Sequence, residues 1–457
     1  MAHVSSAAST VRLTQGDPKR VITAFAMPIF LGQLFQQLYN TADAWIVGRY
    51  LGKEALAAVT SSGSLIFLLT SFFIGASMGA GVVISRYFGA GDDDKVSRAV
   101  HTTVALALLS SLVLTAFGVG LAPVLLRWMK TDPEVLPQSC AYFQFYFAGS
   151  LAMVMYNAFK GIMTAVGDSK RPLYYLILSS VLNVALDWLF VGVLGKDVSW
   201  AAIATTISQA VSAVLCLMQL CKKDRIYRLR LKKLRMSRDM LGEILKYGLP
   251  TGAQNSVIGF ANVLVQSNIN SFGADAMAAC GTYSKIEGFA FLPITSFSMA
   301  LTTYIGQNLG AGEHKRAKQG ARFGILTSVT LAELIGVCIF ILAPYLIGFF
   351  EDDPEVVRIG VKQCHIEALF YMLLSFSHCI AGICRGAGKA VVPMVIMLSV
   401  WCVLRIIYIT LAMALCHDIR LLFWAYPITW FISSVIYLIY YLKSDWIHGF
   451  DPKEATT

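Results

Sequence analysis

Asp43, Asn183, Asp187 and Thr205 draw attention because each interrupts a long apolar stretch, where a polar or charged group is costly unless it faces a cavity or a partner. Asn183 and Asp187 are four residues apart and so share one face of a helix. Gln36, Asn40 and Asp43 also recur at helical spacing and form a second polar face. Depth along the helices brings the two faces to one level. Asp43 comes late in a rising span, and Asp187 lies about 15 residues beyond Pro172, or about 22 Å along a helix. Thr205 is about five residues, roughly 7 Å, into a descending span. Two carboxyls, an amide and a hydroxyl at one depth suit Na+, or a pair of acids that shares a proton. The plainer reading makes Asp43 an interfacial residue near Arg49 and Asp187 a helix cap. One-face spacing and common depth favour the cluster, because they are independent of each other.

The elements that must position these residues follow from composition. Of 457 residues, 56% are hydrophobic and 14% charged, with mean hydropathy +0.64, too few charges to cover a soluble surface of this size. Apolar stretches of about 20 residues or more, long enough to cross a bilayer as helices, fall near 22–47, 55–84, 98–122, 138–160, 172–194 and 200–220. Six more fall near 242–270, 277–305, 320–348, 360–382, 391–415 and 421–442. Membrane-spanning β-strands would instead be about 10 residues long and alternating. An all-α integral membrane protein of twelve spans is expected.

The twelve spans are two copies of six. Gly89-Ala90-Gly91 reappears 221 residues later as Gly310-Ala311-Gly312, and Asp132-Pro133-Glu134-Val135 as Asp353-Pro354-Glu355-Val356. Gly161, Gly167 and Pro172 likewise reappear as Gly382, Gly388 and Pro393. A register held through unrelated turns implies a duplicated unit with a pseudo-two-fold axis. The domain plan is then a tail at 1–20, an N-terminal lobe at 21–220, a basic linker at 221–238, a C-terminal lobe at 239–443 and a tail at 444–457.

The buried charges do not repeat. Positions 221 residues beyond Asp43, Asn183, Asp187 and Thr205 hold Leu264, Leu404, Tyr408 and Tyr426. The second copy has instead Glu287 and Arg405, whose counterparts are Ile66 and Val184. A structural ion pair between Glu287 and Arg405 is the plainer reading, since an unpaired buried charge is the expensive case; holding a charged substrate is the other.

Lys and Arg concentrate in alternate loops, at 86–98, 160–171, 222–235, 315–322 and 385–389, whereas the intervening loops around 130–132, 195–197, 273–275 and 351–353 are short and more acidic. Basic loops stay in the cytoplasm, so both termini are expected there. The first twenty residues have no signal-peptide pattern. A net charge of +10 spread over every basic loop fits topology and anionic headgroups rather than nucleic acid. The ten cysteines form no C-x-x-C pair or zinc spacing, and seven histidines, including His365 and His378, are dispersed. No nucleophile elbow, phosphate loop or H-E-x-x-H occurs, which argues against an enzyme.

The duplicated twelve-span plan, Tyr39-Asn40-Thr41-Ala42-Asp43 with Val47-Gly48-Arg49, the two Gly-Ala-Gly turns and the stretch from Gly161 to Pro172 resemble the bacterial multidrug and toxic compound extrusion (MATE) transporters. The likeness spans about residues 18–443. It implies a V-shaped pair of six-helix lobes in the bacterial plasma membrane that exports organic cations and other amphipathic drugs in exchange for Na+ or H+. It carries the family's N-lobe cation site onto Asp43, Asn183, Asp187 and Thr205, with no cofactor and no metal beyond Na+ there, and Gln36 and Asn40 in support. Some members place a second acid in span 10, where Leu373-Leu374-Ser375-Phe376-Ser377 has none. Glu287 matches an acidic position of the family's span 8. The expected partners are membrane lipids and small cationic or amphipathic substrates, the expected state is monomeric, and a lipid-linked oligosaccharide flippase of the same superfamily is the alternative.

Overall fold

The structure is a computed structural model that describes residues 12–128, 136–223 and 225–450. The described residues contain no strand. In hydrocarbon every backbone N–H and C=O must be satisfied within its own segment or a closed barrel, and the apolar runs answer with helices. These are α1 (Pro18–Leu51), α2 (Lys53–Ala90) and α3 (Asp93–Trp128). α4 runs Leu136–Ala148 and then Ser150–Ala165, and α5 (Lys170–Val193) and α6 (Ser199–Leu220) follow. The second set is α7 (Arg238–Asn270), α8 (Ala274–Gly310), α9 (His314–Gly348), α10 (Pro354–Gly386), α11 (Val391–Leu415) and α12 (Ile419–Lys443). Each of the twelve covers one expected span. Ten contain a segment long and apolar enough to cross a membrane unaided. α4 falls outside that group because it breaks at Gly149, and α7 because it carries Gln254, Asn255, Asn262 and Gln266 along its length.

The duplication is visible in the backbone. Six of the eight described glycines at positive φ form three pairs 221 residues apart: Gly52 and Gly273 at 87° and 93°, Gly91 and Gly312 at 72° and 73°, and Gly167 and Gly388 at 88° and 74°. This region excludes most L side chains, so the turns need glycine. The break in α4 at Gly149 corresponds to a 3-10 turn, Ala368–Phe370, inside α10. At the start of α10, the Asp353 side chain accepts from the N–H groups of Glu355 at 2.8 Å and Val356 at 3.4 Å, with Pro354 in the first turn. The matching motif, Asp132 to Val135, lies outside the described residues. π-helical segments, Trp188–Val193 in α5 and Leu398–Leu404 in α11, do not correspond under the repeat.

The chain divides into two compact units. The first includes Met27–Gly252, and the second joins Leu13–Ala26 to the chain from Ala253 onward. Side-chain contacts explain why the start of α7 belongs to the first unit. Asp239 pairs with Arg98, and Glu243 accepts from Tyr87 at 2.7 Å and lies 3.7 Å from Arg86. The basic linker is held there as well. His101 Nε2 accepts from Arg230 N–H at 3.1 Å, Thr102 Oγ1 accepts from Ser237 N–H at 3.1 Å, and Tyr227 and Leu229 are buried. In the second unit, Leu13 is buried, donates its N–H to Gln307 at 3.1 Å, and accepts from Asn308 and Arg316.

α2 and α7 meet backbone to backbone. A Cβ on Gly79 would stand 2.3 Å from the Gly248 nitrogen, and one on Gly75 would stand 2.3 Å from Gly252 Cα. Small residues permit this approach where lipid provides no hydrophobic drive for helix association. A Cβ on Gly81, by contrast, would meet nothing within 4 Å. Gly79→Val should therefore cost about 1–3 kcal/mol or more and reduce the yield of monodisperse protein in size-exclusion chromatography. Gly81→Val should elute like the parent.

Candidate functional site

In the first unit, α1, α5 and α6 bring the four predicted residues together. The carboxyl of Asp43 on α1 lies within hydrogen-bonding reach of that of Asp187, which is 0% exposed at the C-terminal end of α5's α-helical part. One turn earlier Asn183 is 2% exposed, and its amide donates to Thr205 Oγ1 on α6 at 3.4 Å. The Thr205 hydroxyl in turn donates to the Ala201 carbonyl at 3.1 Å. Four shielded oxygens here receive no hydrogen bond from the protein: Asp43 Oδ1, both Asp187 oxygens and Asn183 Oδ1.

That pattern limits the chemistry. A carboxylate accepts hydrogen bonds and cannot donate one, so two facing carboxylates repel unless a proton or a cation lies between them. Oxygen donors from two carboxyls, a carboxamide and a hydroxyl are hard ligands suited to an alkali cation, and the same pair can share a proton. Among the described residues no group of three His, Cys, Asp or Glu is arranged for a bound metal.

A cavity of about 240 Å³ opens beside the cluster, lined by Gln36, Tyr39, Tyr146, Asn157, Thr205 and Gln209 among others. Gln36 thus belongs to the site, whereas Asn40 is exposed and does not line the cavity. Tyr39 takes the neighbouring place: its hydroxyl accepts from Gln209 Nε2 at 3.5 Å. Sequence spacing passed over Tyr39 because a tyrosine in an apolar span carries no charge to mark it.

The second unit has its own cavity, about 380 Å³, lined by Glu287, Glu367, His378, Arg405, Tyr426 and Trp430 among others. It is the repeat image of the first. Ile66, Thr70, Tyr146, Asn157, Thr205 and Gln209 line one, and the residues 221 positions later, Glu287, Phe291, Glu367, His378, Tyr426 and Trp430, line the other. The duplicated backbone has kept the hollow and exchanged its chemistry.

Glu287 and Arg405 share this cavity without closing an ion pair. Arg405, 4% exposed, donates from Nη2 and Nε to the single oxygen of Thr429 at 2.8 and 3.3 Å. Its guanidinium carbon lies 4.4 Å from the centre of the Tyr426 ring and 5.7 Å from that of Trp401, distances typical of cation–π contact. Glu367, which the sequence reading did not single out, is 1% exposed and accepts from Tyr283 at 3.1 Å and Gln363 at 2.9 Å. It stands at the foot of the break in α10, six residues before the stretch in which a span-10 acid was sought. The signal that could have found it is its spacing of four from Gln363, a polar pair on one face. His378 is packed edge-on between Phe291 and Trp401 at 5.5 Å from each, and His365 contacts the Phe340 carbonyl at 3.1 Å.

Comparison with known proteins agrees with this architecture. The family model described as MatE matches twice, over residues 28–189 and 250–411. A Bacillus subtilis protein named probable multidrug resistance protein YoeA is 28% identical over 437 residues, covering 92% of this chain and 93% of that one. The Thermotoga maritima probable multidrug resistance protein NorM is also 28% identical, covering 84% and 83%. A solved structure described as the outward-facing conformation of a multidrug resistance MATE family transporter superposes with a TM-score of 0.90, at 22% identity, covering 95% of this chain and 98% of that one.

Removing an unsatisfied buried acid relieves a desolvation cost. Asp187→Asn should accordingly raise the thermal unfolding midpoint of purified protein in Na+-free buffer by a few degrees. Any Na+-dependent rise seen in the parent should be absent from the variant.

Proposed function

This chain belongs to the MatE family of membrane transporters, and we propose that it works as a secondary active antiporter, exporting organic cations and other amphipathic compounds in exchange for Na+ or H+. The observation that carries the reading is the meeting of Asp43 and Asp187, where three of their own oxygens and that of the Asn183 amide are buried and unpartnered. Such a set is incomplete without a positive charge and is satisfied by either ion. Asn183 and Thr205 orient the site, Gln36 and Tyr39 connect it to the adjoining cavity, and no other cofactor is required. The protein is taken to act as a monomer in the plasma membrane, with lipids and small amphipathic substrates as its partners.

Coupling needs differential affinity. The ion must bind one conformational state more tightly and the drug the other; each 1.4 kcal/mol of difference moves the equilibrium about tenfold. A proton or Na+ on Asp43 and Asp187 removes their mutual repulsion, so α1 and α5 pack more closely when the site is filled than when it is empty. Pro28 lies inside α1 and removes one backbone hydrogen bond there, which provides a place for that helix to bend as the site fills. The ion-filled state releases the drug outward, and the ion-free state accepts it from the cytoplasm.

The test is export of ethidium by everted vesicles under a Na+ gradient and a pH gradient imposed separately. One gradient should drive transport, and Asp43→Asn and Asp187→Asn should each lower it at least tenfold with unchanged protein in the membrane. Undiminished transport in both variants would remove the coupling role from the pair.

Orientation has its own check. With both termini in the cytoplasm, Cys416, exposed in the turn between α11 and α12, faces outward. A membrane-impermeant maleimide should label intact cells at this position, and Cys416→Ser should abolish that signal.

A further inference from the structure

The cavity of the second unit holds charges that an export site for simple organic cations does not need. Arg405 is a buried guanidinium with five N–H donors, of which the protein engages two, both on the Thr429 hydroxyl. Among the described residues no carboxylate closes an ion pair with it, although Glu287 and Glu367 line the same cavity. Glu367 is already held by Tyr283 and Gln363, whereas Glu287 is half-buried and makes no hydrogen bond among the described residues. One free donor group and one free acceptor group therefore face the same space. Between them stand the ring of Tyr426 under the guanidinium and that of Trp401 beside it.

A guanidinium removed from water is stabilised most by a planar anion that takes two of its N–H groups at once, and a lone hydroxyl cannot supply that. A purely cationic ligand would be repelled by Arg405. A purely anionic one would be repelled by Glu287 and Glu367. The geometry points to a ligand that carries both signs on a flat aromatic frame. We propose that the second-unit cavity binds planar aromatic zwitterions, with Arg405 taking the carboxylate, Glu287 the basic nitrogen, and Trp401 and Tyr426 the ring. This rests on the transport reading and names a substrate class within it. In the first unit Ile66, which lines its cavity, and Val184 stand at the repeat positions of Glu287 and Arg405, so the selectivity resides in one copy of the repeat. A volume of about 380 Å³ is of a size to admit a small aromatic dye.

Two dyes separate the charge pattern from everything else. Rhodamine 110 carries a free carboxylate on a phenyl ring attached to its flat cationic xanthene, and rhodamine 123 is its methyl ester, the same frame as a pure cation. Binding of each to the purified full-length protein in lipid nanodiscs is read by fluorescence anisotropy with no ion gradient present, so a failure of ion coupling leaves this measurement intact. Rhodamine 110 should bind about tenfold more tightly than its ester, as expected for a charge-assisted hydrogen-bond pair. Arg405→Met should bring the two affinities together. Glu287→Gln, at a position without hydrogen-bond partners, should weaken both dyes by a similar factor and leave their ratio unchanged. This keeps the proposal testable if the Arg405 variant does not fold. Equal or tighter binding of the ester by the parent, a preference that survives Arg405→Met, a Glu287→Gln variant that binds both dyes as the parent does, or no binding of either dye would each overturn it.

Discussion

A bilayer interior provides neither hydrogen bonds nor counterions, and every feature of this protein is a response to that constraint. Backbone groups are satisfied within helices. Side chains that cannot be satisfied alone are drawn inward, where they find one another. The same constraint gives the Asp43–Asp187 contact its chemistry. In water two carboxylates would separate and hydrate; in a low-dielectric interior their repulsion is weakly screened, and this is the physical basis of the proposed binding of Na+ or a proton there.

Duplication supplied the scaffold and divergence supplied the chemistry. Paired glycines at positive φ, the helix breaks at Gly149 and near Phe370, and two cavities on corresponding residues all follow the 221-residue offset. These are backbone properties, dictated by turns and close helix contacts that tolerate few substitutions. The residues lining the hollows are under no such restriction. Thr205 corresponds to Tyr426, Tyr146 to Glu367 and Gln209 to Trp430, so one cavity adjoins an acidic pair while the other contains a guanidinium with aromatic rings around it.

Close packing accounts for a subtler feature, the membership of helix ends. The first part of α7 belongs to the unit formed by the first half of the chain because Gly75 and Gly79 on α2 admit the backbone at Gly248 and Gly252. Ion pairs from Asp239 and Glu243 extend that attachment. Residues Leu13–Ala26 belong to the other unit, with Leu13 buried and its backbone bound by Gln307, Asn308 and Arg316. Both attachments use small or polar residues that apolar periodicity treats as interruptions.

Read alone, the amino-acid sequence determined the number, length and order of the helices, their pairing into repeats, and the identity of the Asp43, Asn183, Asp187 and Thr205 set. These depend on local signals: run length against bilayer thickness, turn glycines at constant offset, and charge where hydrocarbon penalises it. Tertiary structure decided which of those polar groups meet. It joined Tyr39 to the site through Gln209, left Asn40 exposed, revealed Glu367 at the break in α10, and directed Arg405 to Thr429 and Tyr426 rather than to Glu287. Helical spacing specifies the face a residue occupies. Its partner depends on how neighbouring helices rotate and break, and that is set by packing between segments far apart in the chain.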